Sequence, residues 1–218
     1  MIELQLVLTQ TIQFIERNKM IEIPKHEAFG LFPTLVMIFD LSENDQIEHV
    51  KRVVSKTATH KHRIMHNSES TYDEAMGNNW LDQAELSKFK DSIMVCLNEY
   101  CENYGVPKLR MTNSWMNRVG KGGAVKPHRH EMSVVSGAYY PTADEGSCGL
   151  VLKSPLLPLK MNEFSQYETL YNAYDQKLPC KEGSLILFPS WLEHYTDENT
   201  TDNRVTVSFN TTYLPPQQ

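Results

Sequence analysis

Three histidines and one arginine in the C-terminal half are the residues whose types and spacing could do chemistry. His128 and His130 are separated by one residue, His194 follows much later, and Arg204 comes shortly after it. Neutral imidazole is a common ligand for iron, zinc, copper and nickel, and a planar guanidinium matches a carboxylate. The residue types therefore predict a metal centre with an anchor for an anionic ligand.

Strand periodicity predicts which way these side chains point. Successive side chains of a strand face opposite ways, so an H-x-H pair on a strand would place both imidazoles on one side as a chelate. Arg204, Thr206 and Ser208 would share one face of a later strand, and the residues between them are valines. The apolar face belongs against the core. The polar face should therefore line a cavity, where a buried arginine calls for an anionic partner.

The first half of the chain carries patterns of helices and strands that would support such a site. A helix is predicted over residues 2–18, although the first eight positions also alternate like a strand, and a strand is predicted over 31–41. A second helix is predicted after Ser42. A third is predicted over 82–104, where apolar residues recur every three or four positions.

From about residue 109 the sequence changes to short β-type runs separated by Gly, Pro, Asp and Asn. The predicted strands are 109–118, 132–141, 148–153, 184–188 and 203–214. Helices first and short strands afterwards predict a mainly β fold, an antiparallel sandwich or jelly roll with helices packed on one face. We expect a single domain over residues 1–218, in which 1–108 support a catalytic core formed by 109–214.

Composition and charge limit the classes of protein and partner. Of the 218 residues, 40% are apolar and 22% charged, which is typical of a soluble globular protein. A net charge of −6 argues against nucleic acid as the main partner, because binding phosphates needs a clustered basic surface.

Features that would direct the chain to a membrane or out of the cell are not evident in the sequence. The four cysteines form no C-x-x-C pair, and the start of the chain lacks a basic secretory region. No apolar run approaches the roughly 20 residues that span a bilayer. We therefore expect a cytoplasmic protein without a membrane anchor. A homodimer through the N-terminal helix stays open, although no heptad pattern supports it.

Several short motifs occur in a fixed order in the C-terminal half. They are Asn113-Ser114-Trp115, then Gly120, Gly122 and Gly123, then His128-Arg129-His130, then Ser136-Gly137-Ala138-Tyr139-Tyr140, then Phe188-Pro189-Ser190-Trp191-Leu192-Glu193-His194, and finally Arg204-Val205-Thr206-Val207-Ser208-Phe209-Asn210. On these motifs, the run from Asn113 to Tyr213 resembles the Fe(II)- and 2-oxoglutarate-dependent oxygenases, especially a branch found in bacteria and phages.

The resemblance implies a double-stranded β-helix with flanking N-terminal helices, and the cofactors Fe(II), 2-oxoglutarate and O2. Carried onto matching positions, it makes His128 and His194 iron ligands. It makes Arg204 the anchor for the far carboxylate of 2-oxoglutarate, helped by Thr206. The implied activity is hydroxylation of a protein, peptide or small metabolite of unknown identity, with decarboxylation of 2-oxoglutarate to succinate and CO2.

Two further polar residues are candidate neighbours of the cosubstrate. Asn117 has the same strand parity as Asn113 and Trp115, and Tyr140 has the same parity as Ser136. Both are equally well explained as ordinary sheet residues with satisfied polar groups.

The middle metal ligand is where this chain departs from the superfamily. Most members have Asp or Glu where this chain has His130, which removes one negative charge from the centre. His130 can itself coordinate, giving a three-histidine site, or Glu131 or Asp144 can supply a carboxylate. We favour His130, because strand alternation turns residue 131 away from the face that carries His128.

Other functions and another histidine cluster compete with this interpretation. The chain could be a non-catalytic cupin-like module that holds a structural metal, or a three-histidine dioxygenase that uses no 2-oxoglutarate. Neither gives Arg204 a role. His60, His62 and His66 could bind zinc if the segment were helical, but a solvated basic loop explains them better.

Substrate specificity is expected to reside in three loop regions. They are residues 60–80, 142–147 and 154–181. The last of these is either a lid over the cavity or a passive surface excursion.

Overall fold

The structure is a computed structural model that describes residues 25, 27, 30–73, 78–160, 164–169 and 171–215. The chain divides into two compact units, Met1–Pro33 and Thr34–Gln218, and every element below belongs to the second. The helix predicted over residues 2–18 lies outside the described residues. The single-domain boundaries and the homodimer through that helix stay predictions.

Strands dominate the described part of the second unit. In chain order the elements are β1 (Met37–Asp40), α1 (Ile47–Lys56), β2 (His60–Lys61), β3 (Met65–Ser70), α2 (Ser87–Tyr104), β4 (Leu109–Val125), β5 (Val135–Ala143), β6 (Val151–Lys153), β7 (Asp175–Lys177), β8 (Ser184–Pro189), β9 (His194–Tyr195) and β10 (Arg204–Tyr213). The predicted mainly β fold is confirmed, and both described helices lie ahead of strands β4 to β10 in the chain.

The strands form two antiparallel sheets. A seven-stranded sheet has the order β1-β8-β5-β10-β4-β3-β2, and a three-stranded sheet has the order β7-β6-β9. β10 lies between β4 and β5, pairing with both over most of its length. The strand predicted to carry the arginine is therefore a central strand, whose backbone is held on both sides.

The two faces of β10 have different environments, as strand alternation predicts. Val205 and Val207 are buried in a core that also contains the apolar residues of both helices. Arg204, Thr206 and Ser208 face the opposite way and line a cavity. The prediction that these three residues share a cavity-lining face is confirmed.

β8 alternates in the same manner and connects two cores. Leu185 and Leu187 pack into the core on the helical side. Ile186 and Phe188 pack with Leu152 of β6 in a second core, so this cluster joins the two sheets. A continuous apolar run of this kind is expected for a strand that is buried on both faces.

The helices cover one face of the seven-stranded sheet. In α1 the buried residues recur at helical spacing, from Ile47 to Val54, as predicted. Gly105 follows the last residue of α2 and caps it. Its φ of 75° is the left-handed conformation that glycine adopts at low cost, and its N–H donates to the carbonyl of Cys101.

The segment around the second histidine cluster is not helical. His60 lies in β2 and His66 in β3, and these two strands pair as an antiparallel hairpin. Two-residue and six-residue strands rich in polar side chains lack the apolar alternation that marks a strand in sequence, so β2 and β3 were not predicted. The helical zinc arrangement considered for His62 and His66 is therefore wrong.

No helix in the described ranges is long and apolar enough to cross a membrane.

Candidate metal centre and anion pocket

The first and last histidines of the predicted site are joined through their backbones. The N–H of His128 donates to the carbonyl of His194 at 3.0 Å, and the N–H of His194 donates back to His128 at 3.0 Å. This isolated antiparallel bridge aligns a segment after β4 with the start of β9. Residues far apart in sequence are thereby fixed side by side.

The H-x-H segment does not lie in a regular strand, which differs from the prediction; it has an isolated bridge at His128 only. β4 ends at Val125, two residues before Pro127, which has no N–H to donate. Afterwards the segment is held by the isolated bridge at His128 and by the bond from the His130 N–H to the Ser190 carbonyl at 3.1 Å. The imidazoles of His128 and His130 nevertheless both lie in one cluster with the imidazole of His194.

The three imidazoles form a compact cluster. One nitrogen from each of His128, His130 and His194 lies within 4.8 Å of the others, an arrangement that could hold a metal ion. Nε2 of His130 lies 3.2 Å from Nε2 of His194. Within the ranges that the structure describes, this is the one such group of three or more His, Cys, Asp or Glu residues. The 60–66 histidines do not form another.

Hydrogen bonds to backbone carbonyls orient two of the rings. Nδ1 of His128 is 2.8 Å from the carbonyl of Lys126, and Nδ1 of His194 is 2.9 Å from that of Leu192. A carbonyl oxygen only accepts, so both Nδ1 atoms carry the proton and donate it. The Nε2 lone pairs of these two histidines are left for a metal, which is the usual way that proteins prepare imidazole ligands.

Burial keeps the cluster uncharged. Removal from water lowers the pKa of His130 and of His194 from 6.5 to about 3, and neighbouring histidines lower each of them further. Burial also lowers the pKa of His128. Since only a neutral imidazole can coordinate a metal, this electrostatic environment prepares the cluster for that role.

The two carboxylates considered as alternatives to His130 lie elsewhere. Glu131 is exposed and is not part of the cluster. Asp144 accepts a hydrogen bond from the backbone N–H of Asn203 at 3.2 Å, at the far end of β5. Both observations favour His130 as the third member.

Arg204 is a buried cation that faces the same cavity. Its side chain belongs to a residue that is 3% exposed, and its Nε donates to the carbonyl of Cys148 at 2.7 Å. Its guanidinium carbon lies 5.4 Å from the ring centroid of Tyr140. No carboxylate of the described residues forms an ion pair with it. A buried charge without a counter-charge is unfavourable, so an anionic ligand is the natural partner.

Two hydroxyl groups near Arg204 lack partners. Tyr140 Oη and Thr206 Oγ1 are buried, and neither is hydrogen-bonded to any residue that the structure describes. Burial raises the pKa of Tyr140, and the charge of Arg204 partly offsets this effect. Asn117 differs, because its Oδ1 accepts from Ser70 Oγ at 2.7 Å. The unpartnered hydroxyls mark a place for a polar ligand.

One cavity of about 330 Å³ brings all the predicted site residues together. Those among its lining residues are Asn117, His128, His130, Tyr140, His194, Arg204 and Thr206. The lining also includes Trp115 and Tyr72, whose ring centroids are 5.3 Å apart, while Trp115 is 5.6 Å from the ring of His130. The cavity therefore joins a candidate metal centre, an anion pocket and an aromatic wall.

Sequence reasoning did not single out Asn210 or Ser136 as parts of the site. Asn210 lines the cavity and contacts His130, and Ser136 bonds to Asn210. Asn210 could have been predicted from the sequence, because it continues the series of alternate residues from Arg204 through Ser208 that share one strand face. No sequence pattern placed Tyr72 in the site, since its position depends on strand β3, which was not predicted.

A family model described as "Putative 2OG-Fe(II) oxygenase" matches residues 113–210, a little under half of the chain, which contain the three histidines and Arg204. This segment of the chain is similar to the 2OG-Fe(II) oxygenases. The jelly-roll fold predicted from the sequence is confirmed by the solved structures described next. None of the curated proteins matches the chain in sequence.

Solved structures of 2OG-Fe(II) oxygenases share the fold at low sequence identity. An oxidoreductase of this family from Burkholderia pseudomallei has a TM-score of 0.58 at 7% identity, covering 81% of this chain and 84% of that one. HygX from Streptomyces hygroscopicus, solved with nickel, 2-oxoglutarate and hygromycin B, has a TM-score of 0.57 at 10% identity, covering 82% of each chain. The collagen prolyl hydroxylase vCPH of Paramecium Bursaria Chlorella virus-1, in its 2OG complex, has a TM-score of 0.53 at 15% identity, covering 82% and 96%.

Proposed function

We propose that this chain is a 2OG-Fe(II) oxygenase that binds Fe(II) through His128, His130 and His194, anchors 2-oxoglutarate through Arg204 and acts as a hydroxylase. The observation that carries the proposal is the burial of an unpaired arginine in the same cavity as three neutral imidazoles. A metal centre alone would not require that cation. A dicarboxylate that chelates the metal at one end explains both features.

The donor set fits ferrous iron. Three imidazoles leave open positions on a metal that prefers six ligands, and non-haem iron enzymes need such positions for a chelating cosubstrate and O2. A closed structural site would use four protein ligands instead. Within the described residues, the cluster contains three.

The opposite end of the cavity fits a carboxylate. Arg204 offers a planar pair of donors, and the hydroxyls of Thr206 and Tyr140 can each donate one further hydrogen bond. All three groups are buried. Their burial makes hydrogen bonds to an anion stronger than they would be in water.

When bound, iron and 2-oxoglutarate supply the oxidising chemistry: decarboxylation of 2-oxoglutarate to succinate and CO2, coupled to insertion of oxygen from O2 into a C–H bond. The protein contributes position and environment. His128 and His194 present fixed Nε2 lone pairs, Arg204 sets the direction from which the cosubstrate enters the centre, and Phe188 and Trp115 limit access of water to it.

The cavity lining gives an indication of the substrate. Among the residues that the structure describes, it includes Arg63, Arg129 and Arg204 but no aspartate or glutamate. Arg129 pairs with Glu193 at 3.3 Å outside this lining. A cationic substrate would find no counter-charge among these described lining residues, so we favour a neutral or anionic one, with Tyr72 and Trp115 as its contact surface. The similar structures named above include a collagen prolyl hydroxylase and a complex with hygromycin B, so protein, peptide and small-molecule substrates are all retained.

Two alternatives predict other products. A non-catalytic cupin-like module would consume no 2-oxoglutarate, and a three-histidine dioxygenase of the cupin type would oxidise its substrate without it. Both leave Arg204 without a partner.

Succinate formation separates these functions without knowledge of the substrate. Purified chain is incubated in air with Fe(II), ascorbate and 2-oxoglutarate labelled at C1, and released CO2 is counted beside succinate. The proposal expects slow, stoichiometric release that requires Fe(II) and falls to background in His194→Ala. Release that is equal in wild type and His194→Ala would overturn it.

A further inference from the structure

The guanidinium of Arg204 is held in place by one backbone carbonyl. Arginine has a long side chain with several rotatable bonds, so a buried arginine can direct its fork in more than one way. In this chain Nε of Arg204 donates to the carbonyl of Cys148 at 2.7 Å. That bond uses one donor and leaves both terminal nitrogens of the fork for a carboxylate. The position of the Cys148 peptide therefore determines where an anion can be bound.

Asn199 holds the backbone of Cys148. Its Oδ1 accepts a hydrogen bond from the backbone N–H of Cys148 at 3.0 Å. Its Nδ2 donates to the carbonyls of Val119 at 2.9 Å and Thr201 at 2.7 Å. Because backbone N–H groups only donate and carbonyls only accept, these bonds fix the orientation of the amide. Asn199 is 0% exposed, so its side chain is a buried connection between three segments of the chain.

The glycines of the motif at residues 120–123 hold the backbone of Asn199 in turn. The N–H of Gly122 donates to the Asn199 carbonyl at 2.7 Å, and the N–H of Asn199 donates to the Gly123 carbonyl at 2.8 Å. Gly122 has a φ of 75°, a conformation that glycine adopts at low cost. A Cβ at Gly123 would lie 2.8 Å from the carbonyl oxygen of Asn67, so this position requires a glycine. The glycine motif noted in the sequence thus fixes Asn199 against β4.

A close backbone approach restrains the Cys148 carbonyl as well. The peptide that carries this carbonyl continues into Gly149, where a Cβ would lie 1.7 Å from the carbonyl oxygen of Leu178. The carbonyl of the next residue, Leu150, accepts a hydrogen bond from the N–H of Leu178 at 2.8 Å. Asn199 and the segment that follows β7 therefore leave the Cys148 peptide little freedom to move.

We infer that Asn199 is the positioning residue for Arg204, and that it determines the length of the diacid that the cavity accepts. This inference rests on the proposed function, because it takes Arg204 as the anchor of 2-oxoglutarate. The backbone bridge between His128 and His194 fixes the metal end of the cavity. Asn199, acting through Cys148, fixes the anion end.

A diacid that spans two fixed ends must match the distance between them. One added methylene lengthens the molecule by up to about 1.5 Å, the length of a C–C bond. A misplacement of about 1 Å in such a site can cost about 100-fold in rate. If the Cys148 peptide could shift, the guanidinium of Arg204 would follow it and accommodate a longer diacid.

The restraint on Arg204 can be measured without a metal. In the full chain labelled with ¹⁵N-arginine, exchange of each Nε–H with water reports whether that group is buried and hydrogen-bonded. We expect a protected Nε–H signal that is assigned to Arg204 by its loss in Arg204→Lys, and we expect its exchange to be at least about tenfold faster in Asn199→Ala. An Arg204 Nε–H in the wild type that exchanges as fast as that of the exposed Arg110 would overturn the inference, whether or not the Asn199 variant folds.

The binding of two diacids tests the selection of length. The chain is loaded with Zn(II), which has no redox chemistry, and is titrated by calorimetry with 2-oxoglutarate and with 2-oxoadipate, which is one methylene longer. The wild type should prefer 2-oxoglutarate by about 10- to 200-fold, the usual effect of one methylene in a close-fitting pocket. In Asn199→Ala the Kd for 2-oxoglutarate should rise about tenfold, and the preference should become several times smaller. An unchanged preference would overturn the inference.

Two further variants separate positioning from general stability. Asn199→Asp keeps an oxygen that can accept the Cys148 N–H but loses the amide donors, so it should lower the melting temperature and keep the preference for 2-oxoglutarate. Thr200→Ala is the matched control, because Thr200 is exposed in the same loop and donates to the Gly146 carbonyl at 3.0 Å. It should change neither the Kd nor the preference. A preference that falls equally in Thr200→Ala would contradict a specific role for Asn199.

A double variant distinguishes failure of this inference from failure of the proposed function. In an Arg204→Ala background, Asn199→Ala should cause no further loss of 2-oxoglutarate affinity, because the two residues act through one guanidinium. Losses that are additive in free energy would contradict a role for Asn199 through Arg204 and leave the anchor intact. If Arg204→Ala itself binds 2-oxoglutarate like the wild type, the anchor assigned in the proposed function is wrong, and this inference fails with it.

Discussion

The backbones of His128 and His194 bond to each other in both directions, with each N–H 3.0 Å from the carbonyl of the other. This reciprocal bridge fixes two candidate ligands that are remote in sequence, and it does so without help from a metal. The site is therefore organised by β pairing before any cofactor binds. Loss of one imidazole should remove the metal without unfolding the chain.

His194→Ala should abolish iron binding at micromolar iron and reduce 2-oxoglutarate turnover at least about 100-fold, because second-shell losses alone reach 10- to 100-fold and a lost ligand exceeds them. Metal content after dialysis and succinate production measure the two effects. His66→Ala, an exposed histidine in β3 outside the cluster, is the matched control. Equal losses in both variants would show that the effect is not specific to the centre.

The metal-free protein should lose stability as pH falls from about 6.5 towards 3. The pKa of His130 and of His194 is about 3 when folded and 6.5 for the free side chain, so between these values the unfolded chain binds more protons. The stability is unaffected by these histidines above pH 6.5 and decreases below it, by up to about 1.4 kcal/mol per pH unit for each of the two. Urea unfolding in the presence of a chelator at several pH values measures the slope.

Carboxylates also make the free energy of unfolding depend on pH, but at lower pH. One variant isolates the contribution of His130 to this dependence. His130→Gln should unfold with a shallower pH dependence between pH 6.5 and 5. An unchanged slope would mean that His130 is not held in its neutral form by burial.

Tyr140→Phe should weaken 2-oxoglutarate without destabilising the metal-free protein. The hydroxyl of Tyr140 is buried and has no partner within the described ranges, so its removal abolishes an unsatisfied group. If it donates to the cosubstrate carboxylate, the loss should raise the KM for 2-oxoglutarate about 3- to 30-fold, as expected for a hydrogen bond of about 1 kcal/mol or somewhat more to a charged group.

The neighbouring Tyr139→Phe is a matched control. Tyr139 Oη is also buried and unpartnered, but its ring packs in the core on the helical side, 4.7 Å from Phe89. Its removal should have a similar effect on stability and none on the KM. A raised KM in both variants would point to a general change in the sheet.

Gly137→Ala should destabilise the fold by about 1–3 kcal/mol, the usual cost of overpacking. A Cβ at this position would collide with the ring of Phe209 on the paired strand β10. Thermal unfolding measures the effect, and Gly146→Ala serves as a comparison, because a Cβ there meets nothing closer than 3.9 Å although its φ of 86° adds strain. A destabilisation no larger at Gly137 would contradict the close approach.

The parts of the fold that sequence predicted are those governed by local periodicity. Alternation placed Arg204 and Thr206 on a cavity face correctly, because it depends only on the geometry of a single strand. The short strands β7 and β9 were not predicted, since two or three residues give no readable period. β9 exists through its pairing with β6 and its bridge to His128, both of which are long-range contacts.

In the candidate site, too, local sequence features could be predicted and long-range contacts could not. Residue types and the motif order identified all three histidines that the structure brings together. The hydrogen bond between Asn210 and His130 could not be predicted, because it depends on a register shift in β10 and on where the H-x-H segment turns after Pro127. The roles of the seven predicted site residues stay predictions until variants are tested.

The central claim is that one cavity holds iron at the histidines and the far carboxylate of 2-oxoglutarate at Arg204. An anaerobic titration of the chain with Fe(II) and then 2-oxoglutarate tests it most directly, through the visible charge-transfer absorption of a keto acid chelated to protein-bound iron. We expect the band in wild type and in Arg110→Ala, an exposed arginine on β4. In Arg204→Ala it should require much more 2-oxoglutarate, by the roughly 2 to 5 kcal/mol of a lost buried charge partner. Iron binding with no band in wild type, or equal titration midpoints in wild type and Arg204→Ala, would contradict the claim.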